Sequence, residues 1–353
     1  MQQIRVLIVD DSPFVRVFLT KILSKDKNIQ VVGTAANPNQ AVREIKEKKP
    51  DILTLDVEMP VMNGLEFLKR LMIAHPMPVI MISTLTTQGS KVTLEALKIG
   101  AVDFITKPNL IDQEKIIEFK NEVLNKIKAV RYLKMNNLIK IMSHNNHSCQ
   151  KEKGFGDYKK YSQEVITGIG VSTGGVQTLK VLLPSFPPDL PGMIVIQHMP
   201  EGFTASFARE LDRISSIRVK EAEAGDKIIS GQALLVPGNY HLEVIRKRGQ
   251  YYVELNKSPK VNYQRPSIDI TFKSMAAVAG KNAIGVLLTG MGKDGAQGMV
   301  NIKEAGGYTI AQNEETAIIY GMPKAAVKLN AVDEVLPLMK ISQRIIKLIS
   351  EVK

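Results

Sequence analysis

Short apolar runs alternate with longer amphipathic stretches along the first third of the chain. Five runs rich in Val, Ile and Leu predict strands, and each precedes a stretch whose apolar residues recur at the helical period. This alternation is typical of βαβ units around a buried parallel sheet, so it predicts one doubly wound α/β domain over residues 1–128. The predicted strands are RVLIVD, IQVVGTA, DILTLD, PVIMIS and VDFIT, with helices near residues 14–24, 39–48, 64–73, 89–98 and 112–128.

The periodicity fades after this region and returns in the second half of the chain. Residues 129–162 collect Asn, Ser, Gly and Lys, which predicts an interdomain linker. Residues 163–353 again alternate apolar runs with helical stretches, which predicts a second doubly wound α/β domain. Its strand candidates lie at 165–171, 193–197, 233–236, 251–255 and 283–289, and its helices near 174–183, 203–213, 269–279 and 296–305.

The formal net charge of +12 is partly a property of the predicted linker. Residues 131–160 hold seven Lys and Arg against two Asp and Glu. Nucleic-acid-binding domains concentrate basic residues on one face or along one helix. The sequence contains no basic helix interleaved with aromatic residues and no Trp. We therefore expect no nucleic-acid partner.

The N-terminus and the apolar runs bear on the location of the protein. The first twelve residues, MQQIRVLIVDDS, place two acids directly behind a short apolar run, which is unlike a secretory signal. No apolar run approaches the roughly 20 residues that a membrane span requires. The single cysteine, Cys149, agrees with a reducing compartment. We expect a cytoplasmic monomer that does not insert into a membrane.

Acidic residues follow two predicted strands of the first domain. Asp10 and Asp11 come after the first strand, and Asp56 ends the third. Parallel strands end at a common carboxyl edge, where three carboxylates would repel one another unless a hard divalent cation neutralised them. The sequence therefore predicts a Mg²⁺ site. Ser83 and Lys107 end the fourth and fifth strands and could hold phosphate oxygens there.

These motifs, VLIVDDS, LTLDVEMPVMNG, IMIST and DFITKP, resemble those of a response-regulator receiver domain, which has a flavodoxin-like fold. The resemblance covers about residues 1–125. It implies that Asp56 accepts a phosphoryl group from a histidine kinase. It also implies Mg²⁺ binding by Asp10, Asp11 and Asp56, phosphate binding by Ser83 and Lys107, and a switch aromatic at Phe104.

The segment IGVSTGG, residues 169–175, leaves a predicted strand through three glycines. It could cradle a phosphate, present a nucleophilic hydroxyl or form a tight turn. A Walker loop would end in Gly-Lys-Ser/Thr, but Val176 and Gln177 follow the last glycine. A dinucleotide fold would place an acid after the second strand, but His198 stands there. Residues 170–174 do fit the Gly-x-Ser-x-Gly elbow, which would expose Ser172.

A nucleophilic serine needs a base, and the chain has five histidines. His75 ends a helix of the first domain, and His144 and His147 lie in the predicted linker. His198 ends a strand and should therefore share an edge with Ser172. This placement favours His198, although His241 would suit the usual hydrolase order of serine, acid and histidine and stays an alternative.

The orienting acid should come from a third strand at the same edge. Asp294 lies in AIGVLLTGMGKDGAQGM, an apolar strand followed by a glycine-rich bend and a helix. It could cap that helix, orient the histidine, or do both. Backbone amides of the bend, including that of Met291, could face a developing oxyanion.

The segments GIGVSTGG, VIQHMPEGFTASFAREL, LLVPGNYHLEV, RPSID and LLTGMGKDGAQGM resemble the CheB family of chemotaxis protein-glutamate methylesterases and protein-glutamine glutaminases. The resemblance implies a Ser172 nucleophile, a His198 general base and acid, an Asp294 orienting carboxylate and a Met291 oxyanion amide. It favours His198 over His241.

This resemblance also implies a function. It implies a phosphorylation-activated hydrolase that releases methanol or ammonia from methyl-accepting chemotaxis receptors, with no cofactor for the esterase reaction. Two alternatives are a phospho-switch whose second domain only binds a partner, which a serine-directed phosphonate would not label, and a regulator with DNA output, which would show salt-dependent retention on DNA.

Overall fold

Two α/β units, Met1–Ile139 and Lys140–Lys353, make up the computed structural model of the chain. The structure describes residues 3–59, 62–83, 87–108, 112–145, 162 and 164–352. Among the described residues, no helix combines the length and the apolar character that crossing a membrane requires.

The N-terminal unit contains the predicted doubly wound sheet, so this prediction is confirmed. Its five strands are parallel and stand in the order β2-β1-β3-β4-β5. The elements are β1 (Ile4–Val9), α1 (Pro13–Leu23), β2 (Ile29–Ala35), α2 (Pro38–Lys48), β3 (Ile52–Asp56), α3 (Gly64–Ala74), β4 (Val79–Ser83), α4 (Thr87–Ile99), β5 (Asp103–Thr106) and α5 (Gln113–Ala129).

Local sequence explains where these elements begin and what they bury. Strands β3 and β4 are buried along their whole length, as expected for central strands covered on both faces. Helices α1 and α2 each begin with Pro after an N-cap, and the side chains of Ser12 and Asn37 accept backbone N–H groups of the first turn. Each helix therefore starts directly after its strand.

A helix that the sequence analysis missed, α6 (Met135–Asn145), lies inside the predicted linker. Leu138 and Ile141 are buried and stand three positions apart, which is the spacing of one helical face. The apolar period therefore continues to Asn145 rather than fading at residue 129. Residues 146–161 and 163 lie outside the described part of the chain, so the boundaries of the linker at 129 and 162 stay a prediction.

The C-terminal unit is also doubly wound, as predicted. Seven parallel strands stand in the order β14-β13-β12-β6-β7-β9-β8. The elements are β6 (Ile166–Val171), α7 (Gly175–Leu182), β7 (Met193–Gln197), α8 (Thr204–Ile214), β8 (Arg218–Glu221), β9 (Gln232–Leu235), β10 (His241–Lys247), β11 (Gln250–Asn256), α9 (Ile268–Ala279), β12 (Ala283–Leu287), α10 (Ala296–Glu304), β13 (Tyr308–Gln312), α11 (Met322–Lys328), β14 (Glu334–Leu336) and α12 (Leu338–Glu351).

The strand predicted at 251–255 is real but does not belong to the parallel sheet. It pairs antiparallel with β10 in a separate two-stranded hairpin. Apolar side chains of this hairpin, among them Leu242, Val244 and Val253, pack in the core that also contains α9. Because its other face is partly exposed, the hairpin alternates buried and exposed residues, which differs from the central strands.

The order of the strands places a topological switch point in each sheet. In the C-terminal unit the chain moves outward from β6 through β7, then returns to the other side of β6 at β12. In the N-terminal unit the corresponding position lies between β1 and β3. Open parallel sheets bind ligands beyond the carboxyl ends of the strands at such points.

Candidate functional site

The turn after β6 presents Ser172 at the carboxyl edge of the larger sheet. Gly174 has φ +80°, a left-handed conformation that glycine adopts readily, and α7 begins at Gly175. The Gly175 N–H donates to the Ser172 carbonyl over 2.7 Å. A Cβ at Gly175 would overlap the side-chain oxygen of Gln197. The bend is therefore a tight strand-to-helix turn with the serine hydroxyl at its tip.

Residues after β12 hold this turn from the neighbouring strand. The Ser172 N–H donates to the Thr289 carbonyl over 3.0 Å, and the Thr289 hydroxyl donates to the Thr173 carbonyl over 3.0 Å. A Cβ on Gly290 would lie 2.7 Å from the Cβ of Ser172. The backbone at Gly290 therefore packs directly against the serine, and Met291 follows it in the bend. The oxyanion role of the Met291 amide stays a prediction.

The structure brings together three of the predicted side chains, from the ends of β6, β7 and β12. His198 Nδ1 lies 3.1 Å from Ser172 Oγ, and His198 Nε2 lies 2.8 Å from Asp294 Oδ2. Only 6% of the His198 side chain and 3% of the Asp294 side chain are exposed. The imidazole therefore links the hydroxyl to the carboxylate in a largely dry pocket.

Asp294 is buried, yet four donors converge on its carboxylate. Oδ2 accepts from His198 and from the Ile268 N–H, and Oδ1 accepts from Ser267 Oγ and Asn262 Nδ2, over 2.7–2.9 Å. Burial alone would raise the pKa of Asp294, but its hydrogen bonds, that with His198 foremost, lower it below the usual value. The carboxylate therefore stays ionised, so His198 Nε2 carries the hydrogen and Nδ1 can accept from the Ser172 hydroxyl.

The other candidate base, His241, is fully buried in a different role. Its Nε2 donates to the Pro259 carbonyl and its Nδ1 accepts from the Ser267 N–H, both over 3.1 Å. Burial lowers the pKa of His241, which favours this neutral form. Both ring nitrogens are used by the backbone, so His241 supports the segment that carries Ser267.

Sequence reasoning missed several residues that hold the site together. Gln197 donates from Nε2 to the carbonyls of Ser172 and His198, each over 3.1 Å, and so ties the two predicted catalytic residues by their backbones. Asn262 and Ser267 contact Asp294 from the segment KVNYQRPSIDITF, which leads into α9. The RPSID motif is the feature of the sequence that could have pointed to this loop. It does not indicate which of its atoms contact the Asp294 carboxylate.

The acidic edge of the N-terminal sheet forms a second site. One carboxylate oxygen each from Asp10, Asp11 and Asp56 lies within 4.8 Å of the other two. Lys107 Nζ lies 2.7 Å from Asp56 Oδ2 and 3.0 Å from Asp10 Oδ2. An oxygen cluster of this kind fits a hard cation such as Mg²⁺. Burial raises the pKa of Asp56 from 3.8 to about 6, although Lys107 opposes this shift.

Of the remaining predicted residues of this unit, Ser83 lies at the same edge, whereas Phe104 lies near the start of β5. Ser83 is buried at the end of β4, and its carbonyl accepts the Lys107 N–H over 2.8 Å. Phe104 is buried in β5, with Lys126 Nζ 5.4 Å from the centre of its ring. The structure therefore groups Ser83 and Lys107 with the acids, and it places Phe104 inward on the neighbouring strand.

Two such sites on one chain define a class of protein: a receiver-type domain joined to a domain with the side-chain arrangement of a serine hydrolase. Comparison with known families agrees with this class. The family model described as "Response regulator receiver domain" matches residues 6–119, and the model described as "CheB methylesterase" matches residues 167–345.

Relatives match over nearly the whole chain. A protein of Nitrosomonas europaea named protein-glutamate methylesterase/protein-glutamine glutaminase is 46% identical over 98% of this chain and 96% of its own length. A protein of Thiobacillus denitrificans with the same name is 45% identical over 98% and 96%. The crystal structure of the Thermotoga maritima CheB methylesterase catalytic domain covers 52% of this chain and 98% of its own, with a TM-score of 0.51 and 40% identity. The chain belongs to the CheB family of protein-glutamate methylesterases/protein-glutamine glutaminases, which confirms the resemblance seen in the sequence.

Proposed function

We propose that the chain is a phosphorylation-activated serine hydrolase of methyl-accepting chemotaxis receptors. It would hydrolyse glutamate methyl esters to glutamate and methanol, and glutamine side chains to glutamate and ammonia. The observation that carries the proposal is the position of His198, which contacts Ser172 Oγ through one ring nitrogen and Asp294 through the other. The names of the relatives support the substrate class.

In the first half of the reaction, Ser172 Oγ attacks the γ-carbonyl carbon of the substrate. His198 Nδ1 takes the hydroxyl proton, and the ionised Asp294 stabilises the cationic imidazole that results. Collapse of the tetrahedral intermediate breaks the bond to methoxide, which leaves as methanol with the proton from His198. The substrate acyl group is then bound to Ser172 as an ester, and His198 is neutral again.

The second half of the reaction repeats these steps with water as the nucleophile. His198 takes a proton from water as it attacks the acyl carbon, and it returns that proton to Ser172 Oγ as the ester bond breaks. A glutamine substrate differs only in its leaving group, which departs as ammonia. The amide of Met291 would donate to the oxyanion of both tetrahedral intermediates, because its bend follows Gly290, which packs against Ser172.

The N-terminal unit would regulate this activity through Asp56, which would accept a phosphoryl group from a chemotaxis histidine kinase. Mg²⁺, when bound by Asp10, Asp11 and Asp56, would neutralise charge on the incoming phosphoryl group. Lys107 already contacts Asp56 and Asp10 and would hold the phosphoryl oxygens, with Ser83 beside it. Phe104 would be the switch aromatic, the side chain that responds to phosphorylation of Asp56. The esterase reaction itself would require no cofactor.

The nucleophile is tested by labelling the full chain with a serine-directed fluorophosphonate and locating the label by mass spectrometry. We expect label on Ser172. Alanine at Ser172, His198 or Asp294 should each slow methanol release from methylated receptor membranes by about 10⁴-fold or more, and double variants should be little worse than single ones, because triad residues act as a unit. Ser350→Ala, an exposed serine of α12, is the control. Methanol release by Ser172→Ala near the wild-type rate would refute the mechanism.

Regulation is tested with a small phosphodonor and Mg²⁺. The wild-type chain should become labelled on Asp56 and release methanol faster. Asp56→Asn should lose both the label and the activation while keeping the basal rate, because its hydrolase residues are unchanged. A phosphodonor that activates Asp56→Asn as strongly as the wild type would move the acceptor to another residue.

A further inference from the structure

The side chain of Asn262 lies between the buried carboxylate of Asp294 and the partly buried carboxylate of Asp269. Its single amide nitrogen, Nδ2, lies 2.9 Å from Asp294 Oδ1 and 2.8 Å from Asp269 Oδ2. An amide nitrogen has two hydrogens, so it can donate one to each carboxylate. Nothing in the reaction described above uses Asp269 or Asn262.

Asp269 is anchored independently of the active site. It lies in the first turn of α9, and its Oδ1 accepts from the Gly298 N–H in the first turn of α10 over 2.7 Å. Burial, together with the nearby charge of Asp294, raises the pKa of Asp269. All of these hydrogen bonds are donated to Asp269, which suits a carboxylate that holds its partners in place.

The backbone at Asn262 is held in a conformation that L-residues rarely adopt. Asn262 has φ +52° and Tyr263 has φ +64°, and the turn that they form is closed by two hydrogen bonds between Val261 and Gln264 over 2.8 and 3.1 Å. Asparagine tolerates this conformation, whereas tyrosine does so poorly. Such backbone strain persists where surrounding contacts enforce it, and the contacts of Asn262 are the two carboxylates.

We propose that Asn262, anchored by Asp269, is a positioning residue that orients Asp294 toward His198. Its amide donates to Asp294 Oδ1, and Ser267 Oγ, five residues later in the same loop, donates to the same oxygen. Oδ2 is thereby left for His198 and the Ile268 N–H. The amide also separates two negative charges that would otherwise repel each other, which keeps the carboxylate plane of Asp294 fixed while the imidazole gains and loses its proton.

Other charged or titratable groups of the described residues lie near this cluster. His198 faces Asp294 from the end of β7. The pKa of His241 in β10 is affected by the nearby charges of Arg265, Asp294 and Glu243. Arg265 itself donates to Asn239 and to the Lys257 and Ser258 carbonyls.

The first test replaces Asn262 by glycine in the full chain. Asn262→Gly removes the amide and keeps the turn, because glycine adopts positive φ without strain. The rate of Ser172 labelling by the fluorophosphonate should fall about tenfold to a hundredfold, the effect of losing one hydrogen bond to a charged group. Tyr263→Gly is the matched control: it makes the same change one residue along, at a side chain that is 82% exposed, and should label at the wild-type rate.

The second test uses pH to separate positioning from a general loss of structure. Asn262→Asp has the shape of the wild type but places a third carboxylate between two others, so it should label more slowly than Asn262→Gly near pH 8. Once protonated, that carboxyl can donate one hydrogen bond. The ratio of the Asn262→Asp rate to the Asn262→Gly rate should therefore rise as the pH falls from about 8 to about 6.

A double-mutant cycle tests the anchor. If Asp269 acts on the active site through Asn262, adding Asp269→Asn to Asn262→Gly should slow labelling no further. The proposal is overturned if Asn262→Gly is labelled at the wild-type rate, or if Tyr263→Gly loses as much of the labelling rate as Asn262→Gly. It is also overturned if the ratio of the Asn262→Asp rate to the Asn262→Gly rate does not change with pH. It rests on the proposed function only in taking Ser172 as the nucleophile: a wild-type chain that takes no label at Ser172 refutes both, whereas labelling that is indifferent to residue 262 refutes this proposal alone.

Discussion

Replacing Asp56 by asparagine should stabilise the N-terminal unit, because the acidic edge holds a carboxylate that is costly to ionise. Asp56 is 4% exposed, and its burial raises its pKa from 3.8 to about 6 against the pull of Lys107. Between about pH 4 and pH 6 the folded chain therefore binds this proton more tightly than the unfolded chain. The free energy of unfolding falls as pH rises through that range, and the loss is complete at neutral pH.

The size of the effect follows from the shift. About two pKa units correspond to about 3 kcal/mol of destabilisation by ionised Asp56 at neutral pH. This cost is already net of the attraction between Asp56 and Lys107, and Lys107 keeps Asp10 at 3.0 Å when Asp56 is replaced. We therefore expect Asp56→Asn to raise the free energy of unfolding by up to about 3 kcal/mol at pH 7.

Hydrogen exchange of the β1 and β3 amides, measured by mass spectrometry on the full chain without Mg²⁺, gives the stability of this sheet. The gain should be present near pH 7 and absent near pH 4, where Asp56 is protonated in the wild type. Glu47→Gln, which removes an exposed carboxylate of α2, should change neither value. The electrostatic argument is refuted if Asp56→Asn is less stable than the wild type at pH 7. It is also refuted if the variant is more stable than the wild type by the same amount at both pH values.

Two further predictions concern the C-terminal unit. Gly175→Ala should slow Ser172 labelling by about a hundredfold, because the added Cβ would overlap Gln197 Oε1 and shift the turn. A second substitution in the same chain, Gln197→Ala, should restore part of the labelling rate. Glu210→Gln should lower the free energy of unfolding by about 3 kcal/mol in urea denaturation, because it removes the charge that faces buried Lys180 at 2.6 Å; a change below about 0.5 kcal/mol would contradict this.

Much of the fold could be predicted because its central strands are buried on both faces. Strands such as β4 and β12 are short, largely apolar runs between turn residues, which is a clear strand signal in a sequence. The strands that were not predicted are β8, β10, β13 and β14, and the helices are α6, α11 and α12. β8 (RVKE) and β14 (EVL) are short strands at the two edges of the sheet, with too few apolar residues to stand out. Helix α12 did carry a helical period, with Leu338, Ile341, Ile345 and Ile349 all buried, and sequence analysis overlooked it.

The candidate site was predictable only where side chains follow strands. Ser172, His198 and Asp294 each come within a few residues of the end of a parallel strand, so the common carboxyl edge brings them together. Asn262 follows an antiparallel hairpin and reaches Asp294 from 32 residues away in the chain. No rule of strand order places such a loop over the edge, because its path depends on how β10, β11 and α9 pack together.

Two buried aspartates at the same kind of sheet edge show how partners, rather than position, decide chemistry. Asp294 accepts four hydrogen bonds, so its pKa is lowered and it stays anionic beside His198, ready to stabilise a positive charge. Asp56 accepts from Lys107 and the Glu58 N–H, but its burial, together with the nearby charge of Asp10, raises its pKa to about 6. Few hydrogen-bond donors offset the cost of burying the charge of Asp56. A bound cation or a covalent bond to phosphorus would therefore stabilise this side chain more than it would stabilise Asp294. Adding donors to Asp56 should therefore weaken its affinity for Mg²⁺, whereas removing donors from Asp294 should weaken its hold on the imidazole.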